Sequence, residues 1–392
     1  MPVASKALRT CRRLDEVGFS DIVVVRNQVM ALRAANKDVF GFHGGEPYFE
    51  TPQPIKDAMT RALADNQTRY APSSGIGPLR TAIAEKLRTR NGMKHVKEEN
   101  VLVTVGGAHA LHAAFQSVLD AGDDMLLFSP YWTPIRDMIV MAQARPLLVP
   151  TESACKEGVG HALERYFTKA TRAIYYNTPQ NPSGTVFTRK DAEQVAAFAI
   201  KHNLIVIADE AYEDLVYDGD HFSIATLPGM AERTITCYTL SKSYGMTGWR
   251  VGYATAPEPF MTAMRKIVLY STNGVSTPTQ WAALAAMKMP QEFLTNQRSE
   301  YKKRRDLLVT GLNELGFECA MPAGAFYAFA CATHIHKQSR VAASRLLEQA
   351  HVATVPGVIF GPQGEGHLRF GYAVPLETIA HGLEALKKYL KR

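Results

Sequence analysis

No apolar run in this chain approaches the ~20 residues that a membrane-spanning helix needs, so a helical membrane anchor is not expected. The N-terminus, residues 1–13, is positively charged but has no apolar stretch behind it of the kind a secretory signal carries. Five cysteines (Cys11, Cys155, Cys237, Cys319 and Cys331) are scattered, with no Cys-x-x-Cys pair and no metal-ligand spacing to histidine. That argues against structural zinc and points to a reducing cytoplasm. Neither Gly-x-Gly-x-x-Gly nor a Walker lysine followed by serine or threonine occurs, which disfavours nucleotide binding. Internal repeats and low-complexity tracts are also missing.

What is present is ordinary in bulk. The 392 residues suffice for one large or two medium domains, and 46% hydrophobic with 21% charged residues is normal for a globular chain. The net charge of +7 is mild and dispersed. Its densest run, Lys302-Lys303-Arg304-Arg305, falls in a long helical stretch and reads as a solvated face, not a nucleic-acid patch. Anionic substrates or cofactors account for part of the excess.

The apolar pattern divides the chain. Residues 22–36 and 52–65 read as helices, with a short strand-like piece between them that ends in Gly44-Gly45. Residues 68–77, rich in Gly, Pro and Ser around Tyr70, read as an irregular loop. From residue 100 onward short β-rich runs (101–105, 125–128, 146–149, 173–176, 204–208, 235–240 and 251–255) alternate with helical stretches. One such helix covers 108–119; another starts at Thr188, where Asp191 can complete a capping box. Alternation of this kind predicts an α/β fold, a mainly parallel sheet covered by helices on both faces. After Pro278 the pattern changes to long helices (280–288, 291–315), short strands and a final helix over 375–392. A large domain over 45–289 is expected, with a smaller α+β domain built from 1–44 and 290–392.

Several loops carry residues with chemistry to offer. Lys242 lies between Ser241 and Ser243 at the end of an apolar run, and Arg250 follows eight residues later in a Gly-Trp-Arg turn. A flexible amine beside hydroxyls and a fixed cation suits an aldehyde that carries a phosphate, although a plain surface loop has the same composition. Gly106-Gly107-Ala108, where a strand meets a helix N-terminus, is a phosphate seat or a purely structural turn. Trp132, just past another strand, offers a stacking face or fills the core. Asn181, held among prolines and a glycine, is a hydrogen-bond donor or a turn former. Asp209 ends the apolar run 204–208, where an unpaired carboxylate is costly. A protonated pyridine nitrogen would serve as its partner, with Tyr212 in reach of a ring substituent; helix capping is the other role open to it. Arg369, on a short apolar strand, is placed to grip a carboxylate in a fork or to form a structural ion pair.

In this order the motifs Gly-Gly-Ala, Pro-Tyr-Trp, Asn-Pro-Ser-Gly, Asp-Glu-Ala-Tyr and Ser-Lys-Ser-Tyr-Gly-Met-Thr-Gly-Trp-Arg, with the late Arg369, are a specific combination. From about Gly41 to the C-terminus the chain resembles the class I, fold type I, pyridoxal-phosphate aminotransferases, nearest to the aspartate/aromatic branch. The resemblance implies that Lys242 holds the cofactor as an imine and then moves the proton. It implies that Asp209 pairs with the ring nitrogen, that Asn181 and Tyr212 bond the phenolic oxygen, and that Trp132 stacks on the ring. Gly106, Gly107, Ala108, Thr239, Ser241 and Arg250 would hold the phosphate. Tyr70 would reach it from a neighbouring subunit, so a homodimer with shared sites is implied. Arg369, Gly45, Trp132 and Asn181 would bind the substrate. A ping-pong transfer from an amino acid to a 2-oxo acid, 2-oxoglutarate or pyruvate, follows from the same resemblance. Where aspartate-preferring members carry a lysine after Gly-Gly, this chain has Ala108; aromatic, aliphatic or sulfur-containing donors therefore enter. Residues 20–22, His43, Ala108 and His109 are the positions to examine for the side-chain end. A C–S β-lyase with the same cofactor is the alternative activity. A cofactor-binding transcription regulator is disfavoured, since only about 40 residues precede the first match, too few for the DNA-binding domain such proteins carry. No nucleic-acid or membrane partner is expected.

Overall fold

The computed structural model describes residues 9–19 and 21–391; residues 1–8, Ser20 and Arg392 lie outside the described residues. Seven strands form the large sheet: β1 (Val101–Thr104), β2 (Asp124–Ser129), β3 (Arg145–Pro150), β4 (Thr171–Asn177), β5 (Ile205–Asp209), β6 (Thr234–Thr239) and β7 (Gly252–Thr255). Their spatial order is β1-β7-β6-β5-β4-β2-β3. The pairs β6·β5, β5·β4, β4·β2 and β2·β3 are parallel, while β7 runs antiparallel to both β1 and β6. The sheet is thus mixed and mainly parallel, as the alternation of strands and helices predicts.

The strands read as unbroken apolar runs because both faces are covered. Along β4 and β5, Tyr175 and Ile207 enter one apolar cluster with Leu102, Phe115 and Met264. Their neighbours Ile174 and Val206 enter another with Phe128, Val195 and Leu163. Helix Arg189–Lys201 covers the second face and begins with the expected capping box: Asp191 N donates to Thr188 Oγ1 (3.2 Å) and Thr188 N to Asp191 Oδ2 (2.8 Å). A helix not anticipated, Gly77–Thr89, buries Leu79, Ile83 and Leu87 directly after the irregular loop.

C-terminal to the large sheet, four antiparallel strands in the order Val355–Pro356, His367–Gly371, Tyr327–Cys331, Glu318–Cys319 form a second sheet. Helix Gln291–Glu314 runs to it from the large sheet, and Leu376–Leu390 packs on that helix. The N-terminal segment joins this part: Phe40–Gly41 pairs in parallel with Val352–Ala353.

The run at 302–305 departs from its expected solvated role. Lys303 is exposed and Lys302 half-exposed, but the side chains of Arg304 and Arg305 are only 8% and 5% exposed. Arg304 stacks on Tyr48 (3.7 Å) and donates to Val374 O (3.0 Å); Arg305 lies over Tyr217 (4.7 Å) and donates to Pro322 O (3.0 Å). Successive helical side chains point about 100° apart, so four in a row do not share one face. No helix among the described residues is long and apolar enough to cross a membrane, and none of their His, Cys, Asp and Glu side chains cluster to hold a metal ion.

Candidate active site

The parallel strands deliver their last residues to one edge of the large sheet, the position where such sheets bind ligands. β4 ends in Asn177, β5 in Asp209 and β6 in Thr239, with Asn177 opposite Asp209 and Asp209 opposite Cys237 in the ladder. A cavity of about 220 Å³ opens there.

One end of the cavity is lined by Gly107, Ala108, Thr239, Ser241 and Arg250. Gly107 and Ala108 sit in the first turn of helix Gly106–Val118, where amide hydrogens have no intrahelical acceptor and the dipole is positive. Thr239 caps the short helix Leu240–Ser243: its Oγ1 accepts from Ser241 N (3.2 Å) and donates to Ser241 Oγ (2.9 Å). Arg250 holds a left-handed backbone (φ 53°) and donates Nη1 to Thr247 O (2.8 Å). Gly106 does not itself line the cavity. Its role is steric: φ is 77°, and a Cβ there would stand 2.7 Å from Arg250 Nη2. Hydroxyls, free amides and a guanidinium around one small space form a phosphate cradle.

At the other end lies Asp209, 5% exposed, with no cationic side chain hydrogen-bonded to it among the described residues. Oδ2 accepts from Tyr175 Oη (2.6 Å) and Oδ1 from Ala211 N (3.1 Å). Burial pushes its pKa up to about 6, against the pull of the Tyr175 hydrogen bond. The loop after β4 is tied to the same strand end: Asn177 Nδ2 donates to Asp209 O (3.0 Å), and Asn181 N donates to Asn177 Oδ1 (3.1 Å). Tyr212 Oη shares a hydrogen bond with Tyr327 Oη (3.0 Å), and Trp132 faces the cavity from the loop after β2.

Lys242 projects between these ends. Its Nζ donates to Gly45 O (2.7 Å), and burial lowers its pKa to about 8; Glu46 opposes that shift, while Arg369 and Arg250 add to it. Arg369 reaches in from the small sheet. Nη1 donates to Asn181 Oδ1 (3.2 Å) and Nη2 to His43 O (3.0 Å), its plane lies over Tyr327 (4.4 Å), and Nε has no partner. A guanidinium 2% exposed, paired with no carboxylate among the described residues, rules out the structural ion pair the sequence left open. It is a seat for an anion.

Gly45, Gly107, Ala108, Trp132, Asn181, Asp209, Tyr212, Thr239, Ser241, Lys242, Arg250 and Arg369 thus line a single cavity. Tyr70 does not: it is 92% exposed, beside a separate concavity formed with residues 272–278. His109 also turns away, its ring engaged by Val105 N (3.2 Å) and Ser271 Oγ (2.9 Å). His43 contributes its carbonyl, while burial, Arg33, Arg369 and Arg26 lower its imidazole pKa to about 4. Ile22 and Leu111 line the wall beside Ala108 and Trp132. Tyr327 and Tyr175 escaped sequence reasoning, since each reads as one more apolar residue in a buried strand.

Residues 37–386 match the family described as aminotransferase class I and II. The chain is 39% identical over 389 residues to the aspartate/prephenate aminotransferase of Thermus thermophilus, covering 97% of this chain and 98% of the relative. It is 37% identical to aromatic-amino-acid aminotransferase 2 of Thermococcus litoralis, covering 97% of each. Among solved structures, Thermus thermophilus aspartate aminotransferase with maleate superposes with a TM-score of 0.92 at 38% identity, over 97% of this chain and 100% of that one. The aspartate aminotransferase of Rhizobium meliloti gives 0.92 at 31% identity, over 98% and 100%.

The residues present fit pyridoxal phosphate. The cradle around Gly106 leaves room for no Cβ beside Arg250, the buried Asp209 lacks a cation, and a lysine amine stands between them. The chain belongs to the class I and II aminotransferase family, and is a pyridoxal-phosphate-dependent enzyme that moves an amino group from an amino acid to a 2-oxo acid.

Proposed function

We propose that this enzyme takes the amino group from donors with apolar or aromatic side chains, using Lys242 as proton carrier and Arg369 as the α-carboxylate clamp. The observation that carries the roles of Lys242 and Arg369 is their pairing, in one cavity, as a lysine amine and a buried arginine whose Nε is unsatisfied. Pyridoxal phosphate, when bound, supplies an aldehyde that bonds to amines and a ring that draws electrons from the adjacent Cα.

Every other task falls to the chain. Gly107, Ala108, Thr239, Ser241 and Arg250 hold the phosphate, with Gly106 giving Arg250 its space. Asp209 would keep the ring nitrogen protonated, Trp132 would cover the ring face, and Asn181 Nδ2 with Tyr212 Oη would bond the phenolic oxygen. Lys242, its amine partly neutral near pH 8, would take the proton from the substrate Cα. Arg369, with the Gly45 backbone beside it, fixes the α-carboxylate and so the direction in which Cα presents its hydrogen.

The donor class rests on the cavity wall. Ile22, Ala108, Leu111 and Trp132 line it, and its only described cationic side chains are Lys242, Arg250 and Arg369, each already assigned. A side-chain carboxylate would meet no dedicated cation there. A panel of phenylalanine, leucine, methionine and aspartate with 2-oxoglutarate tests it: aspartate preferred tenfold or more in kcat/KM overturns the assignment. In the same assay Lys242→Ala abolishes glutamate formation; turnover near wild type removes Lys242 from its role.

We also propose a cytoplasmic homodimer in which Tyr70 completes the partner's phosphate site. The exposure of Tyr70 and of nearby Tyr270 (87%), and five free cysteines, support this. Sedimentation of the holoenzyme at one-chain mass would refute it. The division into a large domain over 45–289 and a small one built from 1–44 and 290–392 is retained as a proposal, supported by the separate sheets and by the pairing of Phe40–Gly41 with Val352–Ala353.

A further inference from the structure

Tyr175 stands on β4 two residues before Asn177, with its ring edge-on to Phe115 (centroids 6.1 Å apart) and 2% of it exposed. It does not line the cavity. Its hydroxyl donates to Asp209 Oδ2 at 2.6 Å, the length of a charge-assisted bond. Asp209 otherwise accepts only from Ala211 N, and the titratable groups around it are Glu210, Lys242, Cys237 and Tyr212. The next residue, Tyr176, is equally buried, but its hydroxyl has no partner and its ring stacks on Phe187 (5.0 Å). Of these two adjacent buried tyrosines, which enter different apolar clusters, only Tyr175 spends its proton on the site.

We propose that Tyr175 is a positioning residue for Asp209, whose carboxylate it keeps ionised and turned into the cavity to meet the ring nitrogen of pyridoxal phosphate. This rests on the reading of Asp209 given above. A carboxylate in an apolar wall reverts to the neutral acid unless donors hold its charge, and a neutral acid offers no counter-charge to a protonated pyridine. Tyr175 supplies the stronger of the two donors and, by fixing Oδ2, fixes the rotation of the carboxylate plane. Tyr238, two strands away, does the same for the neighbouring Glu210 (2.8 Å), so the pair Asp209-Glu210 is held by one phenol each.

The test is titration of the apoenzymes with pyridoxal phosphate, read by quenching of intrinsic fluorescence, in wild type, Tyr175→Phe, Asp209→Asn, the double variant and Tyr176→Phe. Loss of one charge-assisted hydrogen bond predicts a Kd about tenfold weaker for Tyr175→Phe, and Asp209→Asn weaker by at least as much. The Tyr175→Phe effect shrinks below about twofold once Asp209 is already asparagine, because the two act as a unit. Tyr176→Phe binds as wild type. An analogue carrying a carbon in place of the ring nitrogen loses nothing on Tyr175→Phe. Melting of each apoenzyme separates a folding defect from a binding one, and Tyr175→Phe keeps the ring that packs on Phe115. If Asp209→Asn binds as tightly as wild type, the reading of Asp209 falls and this inference with it. If Asp209→Asn weakens binding but Tyr175→Phe does not, or if Tyr175→Phe costs the same in both backgrounds or with the carbon analogue, Tyr175 is only core.

Discussion

Replacing Arg369 with methionine separates binding from folding more cleanly than any other change to this chain. The guanidinium is buried, has one nitrogen without a partner, and faces no carboxylate among the described residues; burial draws its pKa below that of an ordinary arginine. Its charge is thus a cost to the free protein, offset in part by bonds to Asn181 and His43 O and by the faces of Tyr327 and Phe360. Methionine fills similar length without the charge, so the apoenzyme is expected to melt within about 3 °C of wild type or above it. Substrate binding fares differently. Two charge-assisted bonds to an α-carboxylate, at about 1.5–3 kcal/mol each, correspond to a fall in kcat/KM of about 10²–10⁴. Because every amino and 2-oxo acid carries that carboxylate, the fall is shared by all of them, and steady-state rates across monocarboxylic and dicarboxylic substrates give the answer. A loss confined to dicarboxylates would move Arg369 to the side-chain end. A large drop in apoenzyme melting temperature would show that its charge is compensated within the fold.

Three further outcomes are expected. Gly106→Ala forces a side chain into a φ of 77° and against the Arg250 guanidinium, so pyridoxal phosphate binds about tenfold more weakly in an apoenzyme titration; unchanged affinity would detach Arg250 from the phosphate. Asp209→Asn stabilises the apoenzyme at pH 8. The carboxyl titrates near 6 when folded and near 3.8 when free, so its charge destabilises the fold fully above pH 6 and not at all below 3.8. The advantage of asparagine in melting scans should therefore vanish between those values, and an advantage that persists below pH 3.8 refutes the assignment. Lys86→Met strips Glu213 of its buried partner (2.5 Å, side chains 7% and 12% exposed) and costs about 3–5 kcal/mol in denaturant unfolding; a loss below about 1 kcal/mol would mean that Asn91 alone satisfies Glu213.

The large sheet was legible because each of its strands is an apolar run bounded by turn formers, and the residues at the run ends are those that meet in the cavity. Asp209 was legible for a like reason, since a carboxylate that ends a buried strand is costly unless something binds it, while Lys242 and Arg250 stood out as an amine between hydroxyls with a cation eight residues on. Arg369 was half legible; the residue stood out, but the lack of an acidic partner is a fact of three dimensions. The reversed direction of β7 was not legible, since a two-faced buried strand reads alike in either direction. Nor were Arg304 and Arg305, because a helix spreads adjacent side chains around its axis and the sequence does not say which face meets Tyr48 and Tyr217. Tyr175 was hidden by its own hydrophobicity.

The cavity also has a chronology. Of the described residues that line it, all but Tyr327 and Arg369 lie at or before position 250. A ribosome therefore releases the phosphate cradle, the lysine and the aspartate well over a hundred residues before the arginine proposed to hold the substrate. The order of synthesis matches the order of use, with the seat for the permanent guest made first and the clamp for the transient one made last.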